Sequence, residues 1–224
     1  KMAIADLLLL PGSKQTLDDL WWLDCHGFSQ ELRRVCEKGT PIIGICGGFQ
    51  MLGNSVEDPN GIENHGQARC RKGLGFLSVR TVLQEKKTVR RVRGRVRSQF
   101  LGLGKFPGDG FEGYEIHVGQ TFYESGSRPL AEIERQGIPG AVPDGAVSAS
   151  GRVLGTYVHG FFDNDNFRHS FLAAARRAVD LTPAETWANI AAEREARIDR
   201  LADHLRKSLD MNLVRSWITL PPKQ

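Results

Sequence analysis

The segment Pro41-Ile-Ile-Gly-Ile-Cys-Gly-Gly-Phe-Gln-Met-Leu52 carries the strongest structural signal in this sequence. Its first half is a short apolar run, which is typical of a strand buried on both faces. Glycines then flank Cys46, and Gln50-Met-Leu52 continues as a helix. A strand, a sharp turn and a helix in direct succession predict an α/β fold that holds Cys46 at the carboxyl end of the strand.

The segments on either side extend this pattern. The apolar run Ala3–Leu10 predicts another buried strand, which ends at Pro11-Gly-Ser13. Two antiparallel strands are predicted further on, at Leu74–Leu83 and Lys86–Arg97. The remaining strands are predicted at Phe111–Val118, Ala141–Ser148 and Arg152–His159. We therefore expect a parallel α/β core with an added antiparallel region.

The length of 224 residues predicts one domain with a helical appendage. We place the domain at residues 1–180 and a C-terminal helical extension, packed on it, at residues 181–224. Thr182-Pro-Ala-Glu185 matches a capping box with proline at the first helical position, so it predicts the start of a long helix. The apolar side chains on one side of that helix are Trp187, Ile190, Ile198, Leu201, Leu205 and Leu209.

Composition restricts the class of protein. The chain is 40% hydrophobic and 25% charged, a globular range that excludes disordered and collagen-like chains. Its longest purely apolar run, Leu7–Leu10, is far shorter than the ~20 residues of a membrane helix. The four cysteines form no CxxC pair and no Cys/His zinc spacing, so we expect no metal site. With no export signal, these features predict a cytoplasmic protein that does not bind membranes.

A basic segment supplies much of the net charge of +4. Arg91-Val-Arg-Gly-Arg-Val-Arg97 alternates with a period of two, so in a strand its four arginines would share one face. Such a face binds nucleic acid, an anionic substrate or a partner domain, or it belongs to a solvated edge strand whose charges prevent edge-to-edge pairing. Because no aromatic residues are interleaved for base stacking, we expect no nucleic-acid binding and favour the solvated edge.

Cys46 is the candidate nucleophile. The helix that begins after it directs free N–H groups and a positive dipole end at the sulfur, which predicts a lowered thiol pKa. The backbone N–H of Gly47 is placed to bind an oxyanion. The alternative is that Cys46 is a small buried apolar residue, as free cysteines usually are, and we assign that interpretation to Cys25, Cys36 and Cys70.

Two histidines are candidates for the base that a cysteine nucleophile needs. His159 ends a predicted strand and precedes Gly160, which places it at the sheet edge where α/β folds hold their chemistry. His117 lies in Gly113-Tyr-Glu-Ile-His-Val-Gly119, also a strand with a glycine exit. The pattern favours His159 and leaves His117 as the alternative.

Four motifs together resemble the class I glutamine amidotransferases, and more narrowly the glutaminase domains of the cobyric acid synthases. The resemblance covers nearly the whole chain, and the four motifs keep the family's order and spacing. They are Leu10-Pro-Gly-Ser-Lys14, Gly44-Ile-Cys-Gly-Gly-Phe-Gln-Met-Leu-Gly53, Gly113-Tyr-Glu-Ile-His-Val-Gly119 and Gly155-Thr-Tyr-Val-His-Gly-Phe-Phe-Asp163. The resemblance implies a flavodoxin-like, doubly wound α/β sheet.

The resemblance also implies a mechanism and a set of site residues. Cys46 would attack the side-chain amide of glutamine with His159 as its base, and ammonia would leave from a thioester intermediate. The oxyanion would be held by the N–H of Gly47 and by the loop containing Gly12 and Ser13. The further substrate-binding residues that it implies are Gln50, Tyr114, Glu115 and His117.

Two features depart from the wider family. Triad amidotransferases have a glutamate two residues after the histidine, where this chain has Phe161, so the site resembles a Cys–His dyad. Either Asp163 or Glu115 would orient the imidazole. The chain contains no GxxxxGK[ST] phosphate loop, so ATP and Mg²⁺ are expected in a separate N-terminal synthetase domain that also binds the corrinoid substrate.

The expected function is therefore glutamine hydrolysis that supplies ammonia for ATP-dependent amidation of corrin carboxylates in cobalamin biosynthesis. No cofactor is expected in this chain itself. The start at Ala3, one strand later than in related domains, leads us to expect a fragment or a split gene product. The alternatives are the glutaminase of another corrinoid-amidating or peptidoglycan-amidating enzyme, or a truncated, non-catalytic domain that docks through Arg91–Arg97.

Overall fold

The computed structural model describes residues 5–101, 110–184 and 186–218. The chain divides into two compact units, with the boundary between residues 184 and 185. In chain order, the first unit contains β1 (Leu8–Leu10), α1 (Thr16–Cys25), α2 (Phe28–Glu37), β2 (Ile42–Ile45), α3 (Gly47–Leu52), β3 (Ser55–Asp58), β4 (Arg69–Lys72), β5 (Val79–Val96), β6 (Gly110–Tyr123), β7 (Ala131–Arg135), β8 (Ala141–Asp144), β9 (Ala146–Val147), β10 (Val153–Thr156), β11 (Val158–His159) and α4 (Asp165–Arg177). Residues 3 and 4 of the predicted first strand lie outside the described residues.

A four-stranded sheet, in the order β1-β2-β10-β9, forms the α/β core. Strand β2 pairs in parallel with β1 and with β10, and β9 adds an antiparallel edge. The carboxyl ends of β1, β2 and β10 therefore meet at one edge of the sheet, directly before the Pro11–Ser13 loop, Cys46 and Tyr157. This edge is where α/β sheets place their ligand sites.

A second, largely antiparallel sheet runs β11-β6-β5-β3-β4, with β7 pairing to β5 and β8 to β7. The two strands predicted at Leu74–Leu83 and Lys86–Arg97 are wrong, because Val79–Val96 forms one long strand, β5. Its register with β6 shifts between Val82 and Lys87. The turn that the sequence predicted between residues 83 and 86 is therefore a local irregularity within one strand.

The solvated edge strand favoured for the arginine segment is also wrong. Strand β5 lies between β6 and β7, and its Val92 is buried. Glutamates on the neighbouring strands pair with the arginines on the outer face: Arg91 and Arg93 lie 3.0 and 2.9 Å from Glu112. Arg97 pairs with Glu132, so two glutamates from distant parts of the sequence offset part of the charge of the four arginines.

Two apolar clusters hold the first unit together. In one, Leu17 of α1, Leu32 of α2 and Leu52 of α3 pack with Ile42 of β2. The other joins the second sheet to α4 through side chains that include Phe111 and Phe167. Burial of these side chains stabilises the unit by roughly 25 cal/mol for each Å² of apolar surface removed from water, and it fixes α3 against the core sheet.

The second unit contains α5 (Ile190–Ser208) and α6 (Met211–Ile218). The start predicted at Thr182 is wrong: the described residues up to 189 are not helical, and Asn189 caps α5 by accepting from the Ala192 N–H. No described residue of α5 is buried, and Ile198 and Leu201 are 50% and 58% exposed. The packing of this extension on the domain stays a prediction.

Candidate active site

The turn between β2 and α3 is a tight elbow with Cys46 at its apex. Cys46 has φ of 54° and ψ of −111°, a conformation that L-residues rarely adopt. A Cβ on Gly48 would lie 2.1 Å from the Leu10 carbonyl oxygen, and one on Gly44 would lie 2.6 Å from the backbone of Gly48. Only glycine fits at these two positions. The glycines therefore permit the tight turn that places Cys46 at the carboxyl edge of the core sheet.

A cleft of about 530 Å³ opens over this elbow. It brings together most of the residues expected to form the site. Those that line it are Gly12, Ser13, Cys46, Gln50, His117 and His159. Gly47 lies next to the Ser13 backbone, behind the lining. Tyr114 is 53% exposed and does not belong to the lining, nor does the buried Glu115.

Cys46 and His159 share one hydrogen-bond acceptor. Cys46 Sγ donates to the Ile116 carbonyl oxygen at 3.3 Å, and His159 Nε2 lies 3.2 Å from the same oxygen. A carbonyl can only accept, so Nε2 carries a hydrogen here. The two groups are therefore neighbours, but each hydrogen points to the carbonyl instead of to the other group.

The predicted lowering of the Cys46 pKa is wrong for this arrangement. Burial raises the pKa of the Cys46 thiol, and a hydrogen bond from the Gly47 N–H and the charge of Lys87 lower it by less. The dipole of α3, a helix of six residues, stabilises the thiolate by less than the loss of hydration destabilises it. Cys46 is a thiol in this state.

His117 is fully engaged by other groups. Its Nδ1 lies 2.9 Å from the Gly119 carbonyl oxygen, and its Nε2 lies 3.1 Å from Glu115 Oε1. Both ring nitrogens therefore face these two oxygens and not Cys46. The ring also stacks on Tyr157, with the centroids 3.9 Å apart. Of the two candidate bases, the geometry favours His159.

Glu115 does not face His159. In the register of β6 and β11, His159 is opposite Tyr114, and Glu115 points to the other face of the sheet. There it accepts hydrogen bonds of 2.6 and 2.7 Å from Arg135. Burial opposes ionisation, but the hydrogen bonds from Arg135 and His117 prevail and lower the pKa of Glu115 to about 2. Glu115 is thus a buried counter-ion, not the group that orients His159.

Gln50 stands one helical turn after Cys46 and is almost fully buried. Its Nε2 donates to the Val118 carbonyl oxygen at 2.9 Å and to the Tyr157 hydroxyl at 3.3 Å. The Thr16 hydroxyl, which also contacts Glu63, lies 3.3 Å from Gln50 Oε1. The side chain therefore has one fixed orientation at the floor of the cleft.

Three charged residues that line the cleft were not assigned to the site from the sequence: Lys14, Glu63 and Lys87. The Asp58 carboxylate accepts from the N–H groups of Ile62 and Glu63 at 2.7 and 2.9 Å, which sets the loop that presents Glu63. Burial raises the pKa of Glu63. The turn-forming residues Asp58-Pro-Asn-Gly61 predict a loop, but nothing in them indicates that the loop folds back over Cys46.

This geometry has a counterpart among known proteins. The sequence profile of the CobB/CobQ-like glutamine amidotransferase domain matches residues 1–167. The chain belongs to this family. The resemblance found in the four motifs is therefore confirmed.

The curated relatives of this amidotransferase domain include cobyric acid synthases. That of Moorella thermoacetica is 40% identical over 206 residues, covering 92% of this chain and 40% of the relative. That of Cereibacter sphaeroides is 42% identical over 209 residues, covering 93% of this chain and 39% of the relative. The chain thus spans about two fifths of the length of the relatives that it matches.

Solved structures support the fold. PurLQS from Thermotoga maritima superposes with a TM-score of 0.51 at 16% identity, covering 78% of each chain. The mixed α/β fold predicted from the sequence, with parallel and antiparallel sheets, is confirmed. No helix in the described part of the chain is long and apolar enough to cross a membrane.

Proposed function

We propose that this chain is the glutaminase part of a cobyric acid synthase, which hydrolyses glutamine through a Cys46 thioester. The observation that carries the proposal is the strained elbow that presents Cys46 in one cleft with His159. The similarity to cobyric acid synthases supports the choice among amidotransferases.

In the proposed mechanism, bound glutamine displaces both the Cys46 thiol and His159 from the Ile116 carbonyl. His159 then takes the tautomer with an unprotonated Nε2, and this nitrogen accepts the thiol proton. The thiolate sulfur attacks the side-chain amide carbon, and the resulting oxyanion accepts hydrogen bonds from the Gly47 N–H and the loop containing Ser13. The intermediate collapses as its C–N bond breaks, and His159 gives the proton to the departing ammonia. Water then adds to the thioester, which releases glutamate and restores the thiol.

Glu63 and Lys87 supply the charges that the zwitterionic end of glutamine requires. The Glu63 carboxylate binds the α-ammonium group, and the exposed ammonium group of Lys87 binds the α-carboxylate. The uncharged amide of the substrate then lies deeper, between Gln50 and Cys46. With these contacts the site binds glutamine more tightly than amides that lack the α-ammonium and α-carboxylate groups.

The ammonia is used in ATP-dependent amidation of corrinoid carboxylates by a synthetase part that binds Mg²⁺ and ATP. The greater length of the curated relatives supports a separate part of this kind. A non-catalytic domain that docks through Arg91–Arg97 is the competing hypothesis, and the glutamates that pair with these arginines weaken it.

Covalent labelling tests the proposed function without any partner. A glutamine-mimicking diazo-ketone should modify Cys46 alone among the four cysteines, as read by mass spectrometry of the labelled peptides. Because burial raises the pKa of the Cys46 thiol, the labelling rate should climb as the pH rises through the alkaline range. A protein labelled at Cys25 or Cys70, or not labelled at all, contradicts the proposal.

Glu63→Gln should raise the KM for glutamine roughly 10-fold with little change in kcat, because it removes one charged contact to the substrate. Thr16 and the Leu17 N–H contact different oxygens of Glu63. In the variant the amide oxygen can accept from the Leu17 N–H while the amide NH2 donates to the Thr16 hydroxyl, so the melting temperature should change little. Lowering the pH protonates Glu63, whose pKa is raised, so the wild-type KM should increase on acidification while that of the variant stays flat. Steady-state kinetics at several pH values measure both; equal KM values for the two proteins would rule out this role.

A further inference from the structure

We propose that His117, locked by Glu115 and Arg135, is a positioning residue that holds in place the two carbonyls, of Ile116 and Val118, that organise the site. This inference rests on the proposed function, since it concerns how the same glutaminase site is assembled.

Three site residues hydrogen-bond to these two carbonyls. Cys46 and His159 contact the Ile116 oxygen at 3.3 and 3.2 Å, and Gln50 contacts the Val118 oxygen at 2.9 Å. His117 is the residue between them. A rotation of this short segment would therefore move the nucleophile, the base and the floor of the cleft together.

The strands around the segment restrain it from one side only. On the open side, β11 pairs with β6 only at Tyr114 and Glu115, so β6 runs past the end of its neighbour. On the other side, β5 pairs with the segment as far as Val118, where the register breaks between the pairs Lys87–Val118 and Val82–Gln120. Gly119, within this break, has φ of 105°. The carbonyls of Ile116 and Val118 are thus free to serve side chains, and the regular ladder ends directly after them.

The His117 side chain supplies the missing restraint. Its Nδ1 hydrogen bond to the Gly119 oxygen spans the break, and its ring stacks on Tyr157. Its Nε2 is anchored to Glu115, which Arg135 clamps with two hydrogen bonds. Buried ionic groups seldom add net stability over apolar residues of the same volume, so this cluster is better explained by the geometry that it enforces.

The test compares His117→Gln, Arg135→Gln and Arg135→Lys with the wild type. Arg91→Lys is the matched control, because that arginine pairs with Glu112 on the outer face. Labelling of Cys46 by the diazo-ketone gives two separate quantities: the fraction of molecules that react and the rate constant at a saturating concentration. Glutamine hydrolysis by the same proteins gives kcat and KM.

We expect His117→Gln and Arg135→Gln to keep the wild-type reactive fraction while the rate constant and kcat fall roughly 10- to 100-fold, the effect of misplacing reacting groups by about 1 Å. Arg135→Lys should react faster than Arg135→Gln but more slowly than the wild type. The control Arg91→Lys should react at the wild-type rate. If the reactive fraction falls and the remaining sites react at the wild-type rate, the cluster is merely structural and the inference is overturned. Variants with an unchanged fraction and rate overturn it too. If the wild type is not labelled, the proposed function itself is wrong.

Discussion

Cys46→Ala should lower glutamine hydrolysis by at least ~10³-fold, because no other group in the cleft can form the thioester. The strain at a positive φ comes from the Cβ atom, which alanine and cysteine both carry without β-branching, so alanine should tolerate the elbow as well as cysteine does. The fold should therefore be retained, with a melting temperature close to that of the wild type. Glutamate release measured with a coupled enzyme assay gives the activity, and calorimetry gives the stability.

Cys36→Ala is the matched control for this substitution. Cys36 is partly buried in α2 and does not line the cleft, so hydrolysis should be unchanged. If Cys46→Ala keeps more than a tenth of the wild-type rate, Cys46 is not the nucleophile. Absence of hydrolysis from the wild type as well would instead favour the docking-domain hypothesis.

Gly48→Ala should be strongly destabilising, although it adds only one methyl group. Its Cβ would lie 2.1 Å from the Leu10 carbonyl oxygen and 2.9 Å from that of Pro11. Both contacts are main chain, so α3 would have to move away from β1. We expect a loss of about 3 kcal/mol or more in the free energy of unfolding, a fall of roughly 10 °C in melting temperature, and loss of Cys46 labelling.

Gly110→Ala separates this steric effect from the general cost of changing a glycine. At Gly110 the nearest atom to an added Cβ, the Gly94 oxygen, is 3.9 Å away, an ordinary contact. Its melting temperature should stay within about 2 °C of the wild type. Equal melting temperatures for the two variants would mean that the approach of α3 to β1 is looser than the structure shows.

The elbow could be predicted from the sequence because its cause is local. The glycines around Cys46 permit the turn, and they are adjacent to it in the chain. His159 could be found for a similar reason, since it follows a recognisable apolar strand. The single strand predicted at Arg152–His159 is wrong, however: β10 belongs to the core sheet, and β11, which carries His159, belongs to the second sheet.

The rest depends on contacts between distant parts of the chain. Glu63 enters the cleft through a loop that the Asp58 side chain shapes, and β7 turns β5 into an interior strand. The pKa of the Cys46 thiol follows from burial by strands that are remote in sequence. The carbonyls of Ile116 and Val118 have no signature at all, since every residue carries one.

The acceptor shared by Cys46 and His159 is a main-chain oxygen, and this decides which chemistry can probe it. Every amino acid at position 116 would present the same oxygen, so alanine scanning is blind to it. Only an atom-level edit of the backbone, such as an ester in place of the amide that joins Ile116 to His117, would weaken the acceptor while keeping every side chain. Semisynthesis, rather than mutagenesis, is thus the route to measuring what this oxygen contributes to the resting state.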